Sequence, residues 1–201
     1  MAHGNAVLPA ITGGGLNVPA GIAVDASGKL YVANWLGASV SVFDTAHGNA
    51  ALPAIAAGGG WGVAIDASGK LYVTNLSYVQ VFDTVHGNAS LPEIDGGGLN
   101  DPLGVAVDDA SGKLYVAWGG YPGGTVWVFD TAHGNAALAP ITGGGLNGPG
   151  GMVVDASGKL YVANNDTDVG NLSVFDTAHG NAVLPAITGG GLILPWGVAI
   201  H

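Results

Sequence analysis

The tetrapeptide His-Gly-Asn-Ala recurs five times along this chain, with its histidine at His3, His47, His86, His133 and His179, at spacings of 44, 39, 47 and 46 residues. No other feature restricts the fold so tightly, because self-similarity at such a period means that one supersecondary unit is stacked on copies of itself. Each of the first four copies carries a version of GIAVDASGKLYVAN followed by a version of SVSVFDT. Even the four lysines, Lys29, Lys70, Lys113 and Lys159, share one repeat position, after Ser-Gly.

Within a unit the apolar runs are short, rich in β-branched and aromatic residues, and bounded by Gly, Asp, Asn and Ser, which predicts strands and no amphipathic helix. Four strands are expected per unit, in the first at residues 21–25, 30–34, 40–44 and 51–55, the last belonging to the next His-Gly-Asn-Ala copy. Between the first two, Asp25-Ala26-Ser27-Gly28 is a tight hairpin signal, since Asp bonds its own downstream amides and Gly accepts positive φ. The turn recurs at Asp66, Asp108 and Asp155, with one extra residue, Asp109, in the third copy. Antiparallel units of 39 to 47 residues predict an all-β fold, a β-propeller of four-stranded antiparallel blades. A parallel β-helix competes, but its rungs are shorter and these hairpin turns favour antiparallel pairing. Blade strands covered on both faces also account for 48% hydrophobic residues and a mean hydropathy of +0.42.

The segments LYVAN at 30–34, LYVTN at 71–75 and LYVAN at 160–164, each after a Val-Asp or Ile-Asp turn ending in Ser-Gly and each followed by VFDT, resemble the YVTN-type and NHL-type β-propeller repeats. The resemblance covers essentially the whole chain and implies a propeller. It implies less about function, because such families include cell-surface and S-layer proteins, protein-binding modules and a few enzymes. The third copy departs from the pattern, with Trp118 where the others have Asn.

A single propeller domain over residues 1–201 is expected, with repeats beginning near 3, 47, 86, 133 and 179 and the last incomplete. A lone fourth-type strand (Ala6, Val7, Leu8 and on to Ile11) precedes four complete blades, and a lone first-type strand (Gly197, Val198, Ala199, Ile200, His201) follows them. These are the two outer parts of an incomplete fifth blade. The alternatives are a truncated five-bladed ring, a fragment of a larger propeller, or a subunit completed by another chain. Unpaired strands recruit partners, so the favoured expectation is self-association, as a homo-oligomer or polymer, through these edges.

Composition removes several classes of function. Fourteen acidic residues stand against four lysines and no arginine, a formal net charge of −10, which leaves too few cations to neutralise a row of phosphates or to grip an anionic leaflet. No apolar stretch reaches the roughly 18 to 20 residues of a spanning helix. Nucleic acid and membrane insertion are therefore not expected. The absence of Cys removes disulfides, thiolate metal sites and a Cys nucleophile. The start, MAHGNAVLPA, shows no basic segment followed by an apolar one, so no signal peptide is visible. A P-loop, a nucleophile elbow and a His-Glu zinc motif are also absent.

The turns carrying Asp-Ala-Ser-Gly and Asp-Thr-Ala-His-Gly-Asn barely vary, whereas the loops between second and third strands do: from the Asn34 position to the Phe43 position the copies measure 9, 7, 11 and 11 residues. One repeat position, Ala20, Trp61, Leu103, Gly150 and Trp196, should ring the mouth of the central channel on this variable face. With Trp35, Trp118, Tyr121, Asn165, Asp166 and Asp168 in the nearby loops, it offers aromatics beside polar side chains, the ingredients of a carbohydrate platform. The competing reading is that the tryptophans plug the channel and cover blade ends. No cofactor and no metal site are expected, because equivalent histidines on adjacent blades stand at least about 10 Å apart, too far to share one ion. The histidines are expected to cap loops, and Asn34, Asn75 and Asn164 to tie blades together.

A lactonase would need a Glu, Asn and Asp cluster at the channel mouth, yet the single Glu of the chain, Glu93, falls in an outer strand. A lyase would need a histidine on the variable face, where the repeated ones do not fall. A non-catalytic structural or interaction propeller, extracellular or at the cell surface, is the leading expectation. A glycan-binding propeller comes next, and a metal-dependent lactonase or lyase last.

Overall fold

The structure, a computed structural model, describes residues 10–120, 123–165 and 170–200. Four antiparallel sheets are arranged as the blades of a β-propeller, each with its strands in chain order from the axis outward. Blade 1 holds β1 (Pro19–Val24), β2 (Lys29–Asn34), β3 (Ser39–Asp44) and β4 (Ala50–Ala56). Blade 2 holds β5 (Val63–Ile65), β6 (Lys70–Thr74), β7 (Val79–Asp83) and β8 (Ala89–Ile94). In blade 3, β9 (Pro102–Asp108), β10 (Lys113–Trp118) and β11 (Thr125–Asp130) are followed by an outer strand in two pieces, β12 (Ala136–Ala137) and β13 (Ile141–Thr142). Blade 4 holds β14 (Pro149–Val154), β15 (Lys159–Asn164), β16 (Asn171–Asp176) and β17 (Ala182–Thr188). The outer strands bulge at Leu-Pro-Ala in blades 1 and 4 and at Leu91-Pro92-Glu93 in blade 2; proline lacks the ladder N–H and is tolerated only at an edge or bulge. In blade 3 the order is Leu138-Ala139-Pro140, one residue out of step, and the strand breaks there.

The Asp-Ala-Ser-Gly hairpins are locked by their aspartate. Asp25 Oδ1 accepts from the Ser27 amide at 2.8 Å, the Ser27 hydroxyl at 2.7 Å and the Lys29 amide at 2.9 Å, while the Tyr31 hydroxyl donates to Oδ2 at 3.1 Å. Asp66 and Asp155 repeat the arrangement. The extra Asp109 changes it in blade 3. Asp108, 5% exposed, accepts there from the Ser111 hydroxyl at 2.7 Å and from Thr177 of blade 4 at 2.9 Å. Asp109 accepts from the Ala67 amide of blade 2 at 2.9 Å. One inserted residue thus turns a hairpin lock into ties to both neighbouring blades.

Period-two alternation gives each blade two apolar faces. Tyr31, Ala33, Val40 and Val42 of blade 1 pack on Val63, Leu71, Val73 and Phe82 of blade 2. Tyr72, Val79, Val81 and Ile94 of blade 2 pack on Val105, Leu114, Val116 and Phe129 of blade 3. Tyr115, Ala117, Val126, Val128 and Ile141 of blade 3 pack on Met152, Leu160, Val162 and Phe175 of blade 4. The core is therefore three copies of one interface: a Tyr, Val, Val and Ile face meets a Leu, Val and Phe face.

Candidate functional site

The central channel encloses about 380 Å³ and is lined by five equivalent triplets: Ala20-Gly21-Ile22, Trp61-Gly62-Val63, Leu103-Gly104-Val105, Gly150-Gly151-Met152 and Trp196-Gly197-Val198. In the first four triplets the middle residue is glycine because the next triplet's backbone lies where a Cβ would be. On Gly21 it would stand 2.6 Å from the Trp61 carbonyl oxygen, on Gly62 2.5 Å from that of Leu103, and on Gly151 2.6 Å from that of Trp196; on Gly104 it would collide with the Gly150 carbonyl. A Cβ on Gly197 would meet nothing within 4 Å, so the chain of contacts ends at the fifth triplet.

That fifth triplet stands at the inner-strand place of a fifth blade, held by a hydrogen bond from the Gly151 amide to the Trp196 carbonyl at 3.0 Å. The strand expected over Gly197, Val198, Ala199, Ile200 and His201 forms no ladder over its described residues, 197–200, which belong to none of the four sheets. His201 lies outside the described residues, as do Ala6, Val7 and Leu8 of the expected outer strand; Ile11 is described, half-buried and in no strand.

Both faces bordering the fifth place are uncovered. Toward it blade 1 turns Ile22, 68% exposed, whose counterparts Val63, Val105 and Met152 are 6–8% exposed. Val24 beside it is exposed, and Leu30 is half-buried where Leu71, Leu114 and Leu160 are fully buried. Blade 4 turns Ile187, 45% exposed against 3–6% for Ile55, Ile94 and Ile141, together with half-buried Tyr161 and Leu172. Part of blade 1's face is already sheltered: Val32 is buried, the connector at 10–18 covers Phe43, and the Ser41 hydroxyl donates to the Gly14 carbonyl at 2.7 Å. The sequence signal for this open side was the strand count, while the identity of the uncovered residues needed the packing.

At the channel mouth Trp35, Trp61 and Trp196 come together. Trp35 and Trp61 have ring centroids 4.6 Å apart, and Trp61 and Trp196 are near-parallel, 13° between planes, with centroids 6.3 Å apart. Trp61 follows the short connector Gly58-Gly59-Gly60, where other copies have Gly-Gly-Gly-Leu and a longer segment. Trp35 and Trp196 remain 41% and 56% exposed. Trp118 does not join them; it leans on Trp127 with centroids 6.0 Å apart. Trp127 occupies the register position of Ser41 and Ser173. In blades 1 and 4 that serine accepts from Asn34 and Asn164 at 3.0 and 2.9 Å, so blade 3 replaces a buried polar pair by an aromatic one. Tyr121, Asp166 and Asp168 lie outside the described residues.

The asparagines behave as inter-segment ties: Asn34 Oδ1 accepts from the Asn17 amide at 2.9 Å, and Asn164 Oδ1 from that of Asn147 at 3.1 Å. Asn75 has no such connector and bonds locally to Leu76 and Tyr78. On the opposite rim, Asp44 accepts from the Ala46 and His47 amides, and His47 Nδ1 stands 2.8 Å from its Oδ2. Gly48 and Asn49 then take φ of 69° and 61°, the left-handed region that Gly and Asn enter most readily. Asp83, Asp130 and Asp176 repeat the pattern with His86, His133 and His179. The histidine contact holds each of these carboxyls below its ordinary value. Among the described residues no three His, Asp or Glu side chains converge as metal ligands.

No family model and no curated protein sequence matches this chain. Among solved structures it is similar to the hydrazine synthase of Kuenenia stuttgartiensis, with a TM-score of 0.73 and 21% identity over 94% of this chain and 53% of that one. It is similar to a chain of the nidogen/laminin complex, TM-score 0.73 and 21% identity over 92% of this chain and 69% of that one. The RRP9 WD40 repeats match with a TM-score of 0.71 and 14% identity over 89% of this chain and 53% of theirs. The chain spans about half the length of the first of these. At such identities the likeness establishes the propeller fold.

Proposed function

We propose that this chain is a non-catalytic interaction propeller of the YVTN/NHL repeat type that associates with copies of itself through its open side. The observation that carries this reading is the uncovered pair of faces: Ile22, Val24 and Leu30 on blade 1, Tyr161, Leu172 and Ile187 on blade 4. Exposed apolar side chains next to an unpaired strand segment favour burial against another surface. Neighbours of this fold include WD40 repeats and a chain of the nidogen/laminin complex, which suits an interaction role. Few charges and no Cys suit a durable scaffold outside the cell or on its surface. Sedimentation velocity over a hundredfold dilution series tests the association: a concentration-dependent oligomer that Ile22→Asp and Ile187→Asp each abolish is expected. A monomer at every concentration overturns it.

A glycan-binding reading is favoured by one separate observation, the contiguous Trp35, Trp61 and Trp196 rings on the variable face. Exposed indole faces stack on the apolar side of a sugar ring. Glycan-array binding that Trp61→Ala and Trp196→Ala remove would establish it; affinity unchanged in both variants would remove it.

A further inference from the structure

We propose that the fifth place binds, from another chain, an antiparallel β-hairpin built like the repeat's own two middle strands, with Leu-Tyr-Val-Ala on one and Val-x-Val-Phe on the other. The proposal rests on the open side being the contact surface, and adds what chemistry fits there.

The requirement follows from the three complete interfaces. Wherever a blade's Tyr, Val, Val and Ile face is buried, what covers it is the Leu and Val of the next blade's second strand and the Phe of its third. Blade 4 presents that same face, as Tyr161, Leu172, Val174 and Ile187, with Ile187 exposed, Tyr161 and Leu172 half-buried and Val174 buried. Wherever a blade's inner strand and second-strand Leu are buried, they are covered by the Tyr and the two Val of the preceding blade. Blade 1 presents Ile22 and Val24 exposed and Leu30 half-buried, beside the buried Val32 and Phe43.

The inner-strand place between these faces is already occupied by Trp196-Gly197-Val198, seated by the Gly151 amide and in register with the other four triplets. Its neighbour outward would be a second strand, and beyond that a third. In each complete blade those two are joined as a hairpin, paired without a bulge from Lys29↔Asp44 to Asn34↔Ser39 in blade 1 and equivalently in blades 2, 3 and 4. Alternation presents Leu and Phe on one side of such a hairpin and Tyr and Val on the other, so one ligand satisfies both exposed faces at once. It also offers N–H and C=O groups to Gly197, Val198, Ala199 and Ile200, which pair with no described strand.

The test uses a synthetic peptide with the sequence of residues 29–45, KLYVANWLGASVSVFDT, titrated into the intact chain by calorimetry and by amide hydrogen exchange. Saturable one-to-one binding is expected, with new protection at residues 197–200. Ile22→Asp or Ile187→Asp in the chain, and Leu30→Asp with Phe43→Asp in the peptide, should each weaken it by at least about tenfold. Because an isolated hairpin folds poorly, the same sequence joined after residue 201 by a Gly/Ser linker gives a second readout: a raised Tm that Ile22→Asp cancels. Absence of both peptide binding and a raised Tm overturns the proposal, even if the chain self-associates. Binding by a chain that is monomeric at every concentration upholds it while removing self-association.

Discussion

The amide of Gly151 donates to the carbonyl of Trp196 at 3.0 Å, and through that bond the segment after blade 4 enters the channel wall as a fifth inner triplet. The seat is one-sided. Gly151 lies so close to Gly197 that a Cβ on it would stand 2.9 Å from the Gly197 Cα, whereas Gly197 has no such neighbour of its own. The difference separates a closed part of the ring from its open side, and makes the two glycines distinguishable by experiment.

Gly62→Ala places a methyl 2.5 Å from the Leu103 carbonyl oxygen, a rigid backbone atom that cannot step aside. Overpacking of this kind costs about 1–3 kcal/mol, and Gly104→Ala should cost at least as much. Gly197→Ala meets open space and should change stability by less than about 0.5 kcal/mol. Urea denaturation of the three variants, compared at equal m-value, checks the contrast.

Leu114→Ala and Leu160→Ala remove fully buried side chains from complete blade interfaces and should each cost about 2–5 kcal/mol. Leu30→Ala, at the same repeat position but facing the open side, should cost clearly less, because this side chain is only half-buried. If Leu30→Ala matches the other two in thermal melts of dilute protein, the blade 1 face is covered in solution.

Trp118 and Trp127 stand in blade 3 where blades 1 and 4 have a hydrogen-bonded Asn and Ser. Trp118→Asn or Trp127→Ser alone should be strongly destabilising, since each leaves a cavity and a polar group without its usual partner. The double variant restores the Asn–Ser pair, so the two losses should fall short of additive by about 1–3 kcal/mol. A double-mutant cycle from chemical denaturation measures this term directly.

Six turn and cap aspartates titrate below the ordinary 3.8. His47, His86, His133 and His179 depress Asp44, Asp83, Asp130 and Asp176. At Asp25 burial pushes upward but is outweighed by hydrogen bonds from Ser27, Lys29 and Tyr31, and at Asp155 the Ser157 hydroxyl leads the downward shift. A folded-state value below the unfolded one means that the unfolded chain binds more protons in between, so this stabilisation is complete above about pH 4 and disappears as pH falls through the folded values. Tm should therefore be flat with respect to these groups from about pH 5 upward and fall as the pH drops below about 4. Asp25→Asn with Asp155→Asn should lower the plateau and flatten the drop.

The repeat spacing, the Asp-Ala-Ser-Gly turns and the period-two alternation determined the blade and nearly all its strand limits, because these are set by local geometry: hydrogen bonds within a few residues, and side chains alternating across a pleat. The spare inner segment at Gly197 was legible for the same reason, as was the gathering of Trp61 and Trp196 at equivalent channel positions. Tertiary structure decided the rest. Ile22 and Val105 hold one repeat position in near-identical local sequence, yet one is 68% and the other 6% exposed, since burial depends on which blade lies opposite and no local pattern encodes that. Trp118 likewise reads as a loop aromatic from its neighbours in sequence, yet it ends β10 and leans on Trp127 of the adjacent strand, away from the three tryptophans at the channel mouth.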